Sequence, residues 1–202
     1  MHGDYLYQLC FAFQRYTRYY TWDKTYNAMF NNLRCNFPMT IYKPDKLKGI
    51  AEKIDNHECR YFATYYFSDE TKESAKKIYK IFKAFSDIGL RCKIRPHPRF
   101  SDISMLLKVF SDIEIENFKA YSLSDSIRDS MYIIGLNTTV LSEGYFSGKN
   151  IVIDNMSMEA RYLELKNKGY IMMSRPHLLL SELADSVKNK QFYDENYKFK
   201  MS

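Results

Sequence analysis

The chain has 202 residues, of which 46% are hydrophobic and 27% are charged. This length accommodates one domain with a substantial core, with or without a short appendage, and it excludes two full-size nucleotide-binding domains. Disordered and collagen-like classes are excluded as well, because the hydrophobic content is ordinary and only 7 glycines and 5 prolines are present. The net charge of +6 favours anionic partners such as nucleotides, acidic glycans or lipid headgroups.

The four cysteines, Cys10, Cys35, Cys59 and Cys92, are far apart in the sequence and form no CxxC pair. With only four histidines beside them they offer no local zinc cluster, so the sequence predicts neither a metal site nor a cofactor. Because no RNA-binding signature or zinc-finger spacing occurs, we expect no nucleic-acid partner. The chain shows no secretion signal and no apolar run of ~18 residues, so we expect a cytoplasmic protein with reduced thiols.

The first 59 residues predict only isolated elements. These are a helix over 5–15, a strand over 16–21, an extended piece over 38–42 and a helix over 45–54. This is too little for a second Rossmann domain, since each βαβ unit of such a domain takes ~30 residues. We therefore expect residues 1–59 to form an N-terminal appendage.

From residue 60 onward, short apolar runs alternate with amphipathic ones, which is the pattern of βαβ units in a parallel sheet. The first unit is a strand over 60–67 and a helix over 70–88, ended by Gly89. The later strands are predicted over 91–95, 114–116, 131–136, 150–154 and 170–173, and the later helices over 103–110, 123–129, 138–147, 158–168 and 178–189. The fold class is therefore α/β, with a Rossmann-like, doubly wound parallel sheet over residues 60–190 and a tail over 191–202.

Two loops of this domain follow strands, where ligands of open parallel sheets bind. The first is Arg95-Pro96-His97-Pro98-Arg99, in which each proline favours extended geometry in the residue before it. His97 is thus held rigidly between two arginines that suit phosphate oxygens. A rigid imidazole there can donate a hydrogen bond or a proton to a leaving phosphate. The alternative is a surface loop that proline stiffens.

The second loop, residues 135–139, runs from a buried strand directly into a helix. Asn137 or Thr138 would cap that helix, and its free N–H groups, with the hydroxyls of Thr138 and Thr139, form an anion site. The alternative is plain helix capping. We expect both loops at the same edge of the sheet, with His97 and Thr138 on the order of 10 Å apart or less, where they could hold one phosphate.

Two other features have simpler explanations. Cys92 lies inside a predicted strand, so we expect it in the core. Glu114 and Glu116 share one face of a short strand, and in a chain of net charge +6 we expect them to be solvated. An inverting glycosidase would need a second, distant carboxylate in a deep cleft.

The runs KIRPHPR (93–99) and SLSDSIRDSMYIIGLNTTVLSEGYFSGKNIVID (122–154) resemble the donor-binding half of bacterial GT-B glycosyltransferases. The resemblance is greatest to the sialyltransferases of glycosyltransferase family 52 and the related polysialyltransferases, and it covers about residues 60–190. It implies that His97 and Pro98, and the later pair Thr138 and Thr139, contact the phosphate of a CMP-sugar. By the same resemblance Glu143 either reaches a ribose hydroxyl, as in many GT-B proteins, or faces solvent.

The upstream run YYTWDKTYN (19–27) is similar, more weakly, to the acidic D/E-D/E-G motif that ends the family's acceptor-side domain. The carboxylate of that motif can act as a general base, and the resemblance assigns it to Asp23. Lys24 and Thr25 stand where the family has a second acid and a glycine. Most of the acceptor-side domain is missing, so residues 1–59 would be its remnant with a linker.

The resemblance implies a transferase that moves sialic acid from CMP-sialic acid to a surface glycan acceptor, in lipopolysaccharide or capsule biosynthesis. Two alternatives stay open. The chain is a nucleotide-binding module or split-enzyme subunit without turnover of its own, or it uses another donor, such as a CDP-linked one. Exposed aromatic residues among 1–40, Phe30 included, would favour self-association, docking to an acceptor domain, or contact with the inner face of the membrane.

Overall fold

The computed structural model describes residues 15–42 and 59–189. The helix predicted over 45–54, the tail over 191–202 and all but the last residue of the helix predicted over 5–15 lie outside the described residues.

Residues 15–42 form a βαβ unit that the sequence predicts only in part. Strand β1 (Tyr19–Thr21) and strand β2 (Met39–Ile41) pair in parallel, and helix α1 (Lys24–Asn32) connects them. The two strands were predicted as extended segments, whereas α1 was not predicted. Its apolar residues pack with Phe37 and with Ile171 of the following domain in a small core of their own.

The main sheet contains six parallel strands. They are β3 (Tyr61–Tyr66), β4 (Cys92–Arg95), β5 (Glu114–Ile115), β6 (Ser130–Gly135), β7 (Asn150–Ile153) and β8 (Leu178–Leu179). Their order across the sheet is β5-β4-β3-β6-β7-β8, which is the strand order of a Rossmann sheet. The order reverses between β3 and β6, so a crevice opens beyond their carboxyl ends.

Helices cover both faces of this sheet. They are α2 (Lys72–Ser86), α3 (Ile103–Val109), α4 (Leu123–Arg128), α5 (Thr139–Phe146), α6 (Glu159–Asn167) and α7 (Leu180–Lys188). Adjacent residues of β3 contribute to opposite cores: Tyr65 packs with α2 and α7, and Tyr66 with α5 and α6. All six residues of β3 and of β6 are buried, as expected for central parallel strands. The predicted fold class is confirmed.

The C-terminal part differs from the prediction in two places. Residues predicted as a strand over 170–173 form a 3₁₀ helix (Ile171–Ser174), and β8 occupies the first two residues of the predicted closing helix. The apolar run after Gly169 is too short for its pattern to distinguish a strand from a buried helical turn. The N–H of Met173 donates to the carbonyl of Tyr170 at 2.9 Å, which gives the tighter helical geometry.

Individual side chains bear out some expectations and contradict others. Cys92 is buried, as predicted. Tyr20 is 55% exposed, whereas Phe30 is completely buried, so the expectation of exposed N-terminal aromatic residues is wrong for Phe30. Within residues 15–42 and 59–189, no helix combines the length and apolar character needed to cross a bilayer.

Candidate functional site

A cleft of about 340 Å³ lies at the carboxyl edge of the main sheet, where the strand order reverses. Three loops line it: residues 66–68 after β3, residues 95–98 and Phe100 after β4, and residues 137–140 after β6. The two loops that the sequence singles out therefore meet in one cleft. His97, Pro98, Arg95, Asn137, Thr138 and Thr139 all contribute to its wall.

The hydrogen bonds of His97 fix the state of its imidazole. The backbone N–H groups of Arg99 and Phe100 donate to Nδ1 at 3.1 and 3.3 Å. A nitrogen that accepts these bonds carries no proton, so Nε2 holds the proton of the neutral ring. The backbone N–H of His97 itself donates to Ser101 Oγ at 2.8 Å. The loop thus presents His97 as a hydrogen-bond donor through Nε2.

The surroundings of His97 favour its neutral form. Partial burial lowers the pKa of the ring, and the nearby positive charge of Arg99 lowers it further. A bound phosphate would act in the opposite direction, because a neighbouring negative charge stabilises the imidazolium. His97 is therefore suited to donate a hydrogen bond to a phosphate before any proton is transferred.

The start of α5 supplies a second set of donors. Thr138 is the N-cap residue, and its Oγ1 accepts from the N–H of Val140 at 3.3 Å. Asn137 and Thr139 beside it are exposed, and the first turn of α5 carries no acidic residue that would compete with an anion. A helix N-terminus of this kind attracts negative charge through its unpaired N–H groups.

Gly135, the last residue of β6, allows these loops to come together. A Cβ atom at this position would lie 2.8 Å from Cγ2 of Thr138 and 3.3 Å from the carbonyl oxygen of Tyr66. Only glycine leaves room for the end of β3, the end of β6 and the capping threonine at this distance.

The arginines of the first loop differ in their surroundings. Arg95 lies in the cleft wall, but its guanidinium is ion-paired with the buried Glu116 and donates to the carbonyl of Tyr121 at 3.2 Å. Glu116 also binds Lys93, so the prediction that this acid is solvated is wrong. The β4–β5 pairing causes this burial, because it places Glu116 beside two inward-facing cations. Arg99 is exposed and its side chain is not part of the cleft wall.

Two further predicted site residues lie outside the cleft wall. Glu143 is half-buried on α5. Asp23 caps α1: its Oδ1 accepts from the N–H of Thr25 at 3.0 Å, and its Oδ2 accepts from Nε of the buried Arg175 at 3.2 Å. The roles assigned to these two carboxylates stay predictions.

The sequence does not predict a chain of hydrogen-bonded polar groups that ends at Ser68 in the cleft wall. Tyr65 donates its hydroxyl to Asp154 Oδ2 at 2.7 Å and faces Glu70, which accepts from the backbone N–H of Ser68 in the cleft wall. Burial raises the pKa of Glu70 to about 7. The sequence predicts Glu70 only as the start of a helix. No sequence pattern indicates that it is connected to the distant Asp154 through Tyr65. In the described part of the chain no three His, Cys, Asp or Glu side chains gather to hold a metal ion.

The strand order and the cleft at its reversal define a Rossmann-like domain. No protein-family model matches the sequence, and no curated protein matches it. Solved structures do match. The wall teichoic acid polymerase TagF, as a histidine-to-asparagine variant soaked with CDPG for 30 minutes, has a TM-score of 0.54 at 13% identity, covering 89% of this chain and 48% of TagF.

Other solved structures give similar results. A histidine-to-alanine variant of TagF has a TM-score of 0.52 at 11% identity over 90% of this chain and 50% of its own. A glycosyl transferase of family 9 from Veillonella parvula DSM 2008 has a TM-score of 0.46 at 15% identity, over 92% and 56%. The chain spans about half the length of the TagF structures that it matches. At these identities the likeness shows the fold, which is the GT-B Rossmann-like fold, and does not single out family 52.

Proposed function

We propose that the chain binds a nucleotide-sugar and forms the donor-binding part of a glycosyltransferase. The specific reaction proposed is transfer of sialic acid from CMP-sialic acid to a surface glycan acceptor. The observation that carries this proposal is the meeting of His97 and the N-terminus of α5 in one cleft at the reversal of the strand order. Ligands of open α/β sheets bind at that position, and both groups suit a phosphate.

In the proposed reaction, a hydroxyl of the acceptor loses its proton to a carboxylate and attacks the anomeric carbon of the donor sugar. The bond between that carbon and the phosphate oxygen breaks, and its electron pair leaves with CMP. The Nε2–H of His97 and the N–H groups of α5 stabilise the charge that develops on the phosphate. These protein donors would perform this task without a metal ion.

The resemblance assigns the base to Asp23, and the structure limits how Asp23 can act. Both of its carboxylate oxygens are engaged, one with the first turn of α1 and one with Arg175. Oδ2 accepts a single hydrogen bond and so keeps a lone pair for a proton, but the charge of Arg175 weakens Asp23 as a base.

A second candidate function is nucleotide binding without turnover, with the acceptor supplied by another domain or chain. Exposed apolar side chains on the N-terminal unit favour this candidate. Tyr20, Ile41 and Tyr42 are each about half exposed on the βαβ unit of residues 15–42, which suits a partner surface or a membrane surface.

The donor itself has two candidates. A CMP-linked donor follows from the resemblance to family 52, whereas a CDP-linked donor is suggested by the CDPG used with TagF. Calorimetric titration of the full chain with CMP, CDP and UDP distinguishes them. We expect a cytidine nucleotide to bind most tightly, and His97→Ala and Thr138→Val to weaken it, with Lys80→Ala on α2 as the control. Failure of all three nucleotides to bind would contradict the proposed function.

A further inference from the structure

Phe100 is an aromatic residue that the core does not explain. It is 66% exposed, the highest value among the large exposed hydrophobic side chains of the described residues. It nevertheless lines the cleft, whereas the exposed Ile103 and Leu107 of the adjacent α3 do not. A single exposed apolar side chain is common on protein surfaces, so the informative observation is that this ring lies in the wall of the cleft.

The ring of Phe100 has one occupied face and one open face. Its plane stacks on the imidazole of His97, with 4.5 Å between the ring centroids and 23° between the planes. Because this contact covers one face and the residue is 66% exposed, the opposite face is open to solvent. The cleft therefore offers a flat aromatic surface directly beside its proposed phosphate contact.

The order of these groups follows the order of the parts of a nucleotide. In a nucleoside monophosphate, one ribose separates the phosphate from the base. A phosphate held by His97 and the start of α5 thus leaves the base within reach of the next ring along the cleft. Aromatic rings stack with centroids about 4.5–7 Å apart, so a base on the open face of Phe100 would lie at that distance from its ring.

We propose that Phe100 is the stacking platform for the base of the donor nucleotide. This inference rests on the proposed function, and it deepens it by assigning the base to one side chain. Stacking on an aromatic ring tolerates any base, since every base has a π face. Phe100 accordingly distinguishes nucleotides from sugar phosphates that lack a base, and leaves the choice between cytosine and uracil to other contacts.

The test compares CMP with ribose 5-phosphate, which carries the same phosphate and sugar without the base. NMR titration of the full chain measures both millimolar and micromolar dissociation constants. We expect Phe100→Ala to weaken CMP binding by about tenfold, as loss of one base stack does. The affinity for ribose 5-phosphate, measured at millimolar concentrations, should be unchanged. Phe100→Trp should retain CMP binding.

Leu107→Ala provides a matched control, since Leu107 is 59% exposed on the adjacent helix α3 but outside the cleft wall. It should bind both ligands as the wild type does. Equal losses of CMP and ribose 5-phosphate in Phe100→Ala would mean that Phe100 only positions His97, and would overturn the inference. Unchanged CMP binding in that variant would overturn it too. If the wild type bound no CMP at all, the proposed function would fail first and the inference with it.

Discussion

Asp23 and Arg175 lie 152 residues apart in the sequence, and their side chains form an ion pair in which Nε donates to Oδ2 at 3.2 Å. The Arg175 side chain is completely buried, and its guanidinium stacks against the rings of Tyr26, Tyr145 and Phe146. Arg175 belongs to the main domain and Asp23 to the N-terminal βαβ unit. The pair therefore links the N-terminal βαβ unit to the main domain.

Loss of the Asp23 charge should destabilise the fold. Asp23→Asn keeps an oxygen that can cap α1 but leaves the buried Arg175 without its carboxylate, so we expect a loss of about 3 kcal/mol, the lower end for such a pair because Asp23 is 20% exposed. Asp23→Ala also removes the cap and should cost about 1 kcal/mol more. Urea unfolding measures both values. A wild-type stability in Asp23→Asn would show that the pair is not structural and would favour a role in proton abstraction.

The titration of His97 should report on phosphate binding. In the free protein, partial burial and the charge of Arg99 lower the pKa of His97, so the stability that depends on the neutral ring is complete above pH ~6.5 and is lost as the pH falls through the folded-state value. Saturation with CMP should raise the pKa of His97, because the phosphate favours the imidazolium. NMR of the ring protons measures this, with His177 as an internal reference outside the cleft wall. An unchanged pKa of His97 would rule out contact with the phosphate.

Gly135→Ala should weaken CMP binding as well as lower the free energy of unfolding. The new methyl group meets Thr138 and the carbonyl of Tyr66, so we expect a loss of roughly 1–3 kcal/mol together with loss of CMP affinity. Gly89→Ala is the matched control. Gly89 has a φ of +84° and no atom within 4 Å of a Cβ, so its substitution should cost about 1 kcal/mol and leave CMP binding intact. Equal CMP affinity in both variants would contradict the role of Gly135.

The half-buried Glu70 should make stability fall with rising pH. Its folded-state pKa of about 7 lies above the usual 4.5, so the folded state binds the proton more tightly than the unfolded state. The contribution is complete below pH 4.5 and is lost as the pH rises through 7. Glu70→Gln should therefore be more stable than the wild type by roughly 1–3 kcal/mol at pH 8, and lose this advantage at pH 4. Thermal unfolding measures this, and the exposed Glu73→Gln should show no such dependence.

The isolated chain should bind a nucleotide without appreciable turnover. Its described residues ahead of β3 form one βαβ unit, which is less than the several units that an acceptor-side domain contains. We expect negligible transfer from CMP-sialic acid to a simple galactoside by the purified monomer. Measurable transfer would show that this short segment suffices to build an acceptor site.

Much of the main domain could be predicted because its signals are local. Strands such as β3 and β6 are apolar runs, and the helices before Gly89, Gly148 and Gly169 end at glycines with positive φ. The cleft could also be anticipated, since the carboxyl ends of parallel strands meet at one edge. The helix α1 and the ion pairs of Glu116 and Arg175 could not, because they depend on contacts between distant segments. The protonated nitrogen of His97 depends on the backbone geometry of its own loop, which the two prolines alone do not specify.

The parallel pairing of β1 with β2 has a consequence for how this two-stranded sheet could be extended. Among the described residues, neither outer edge of this two-stranded sheet pairs with a third strand. Edge strands of a sheet in general accept a further strand through their outward-facing backbone groups, whether it comes from the same chain or from another one. The ion pair of Asp23 with Arg175 would hold a sheet extended in this way against the main domain.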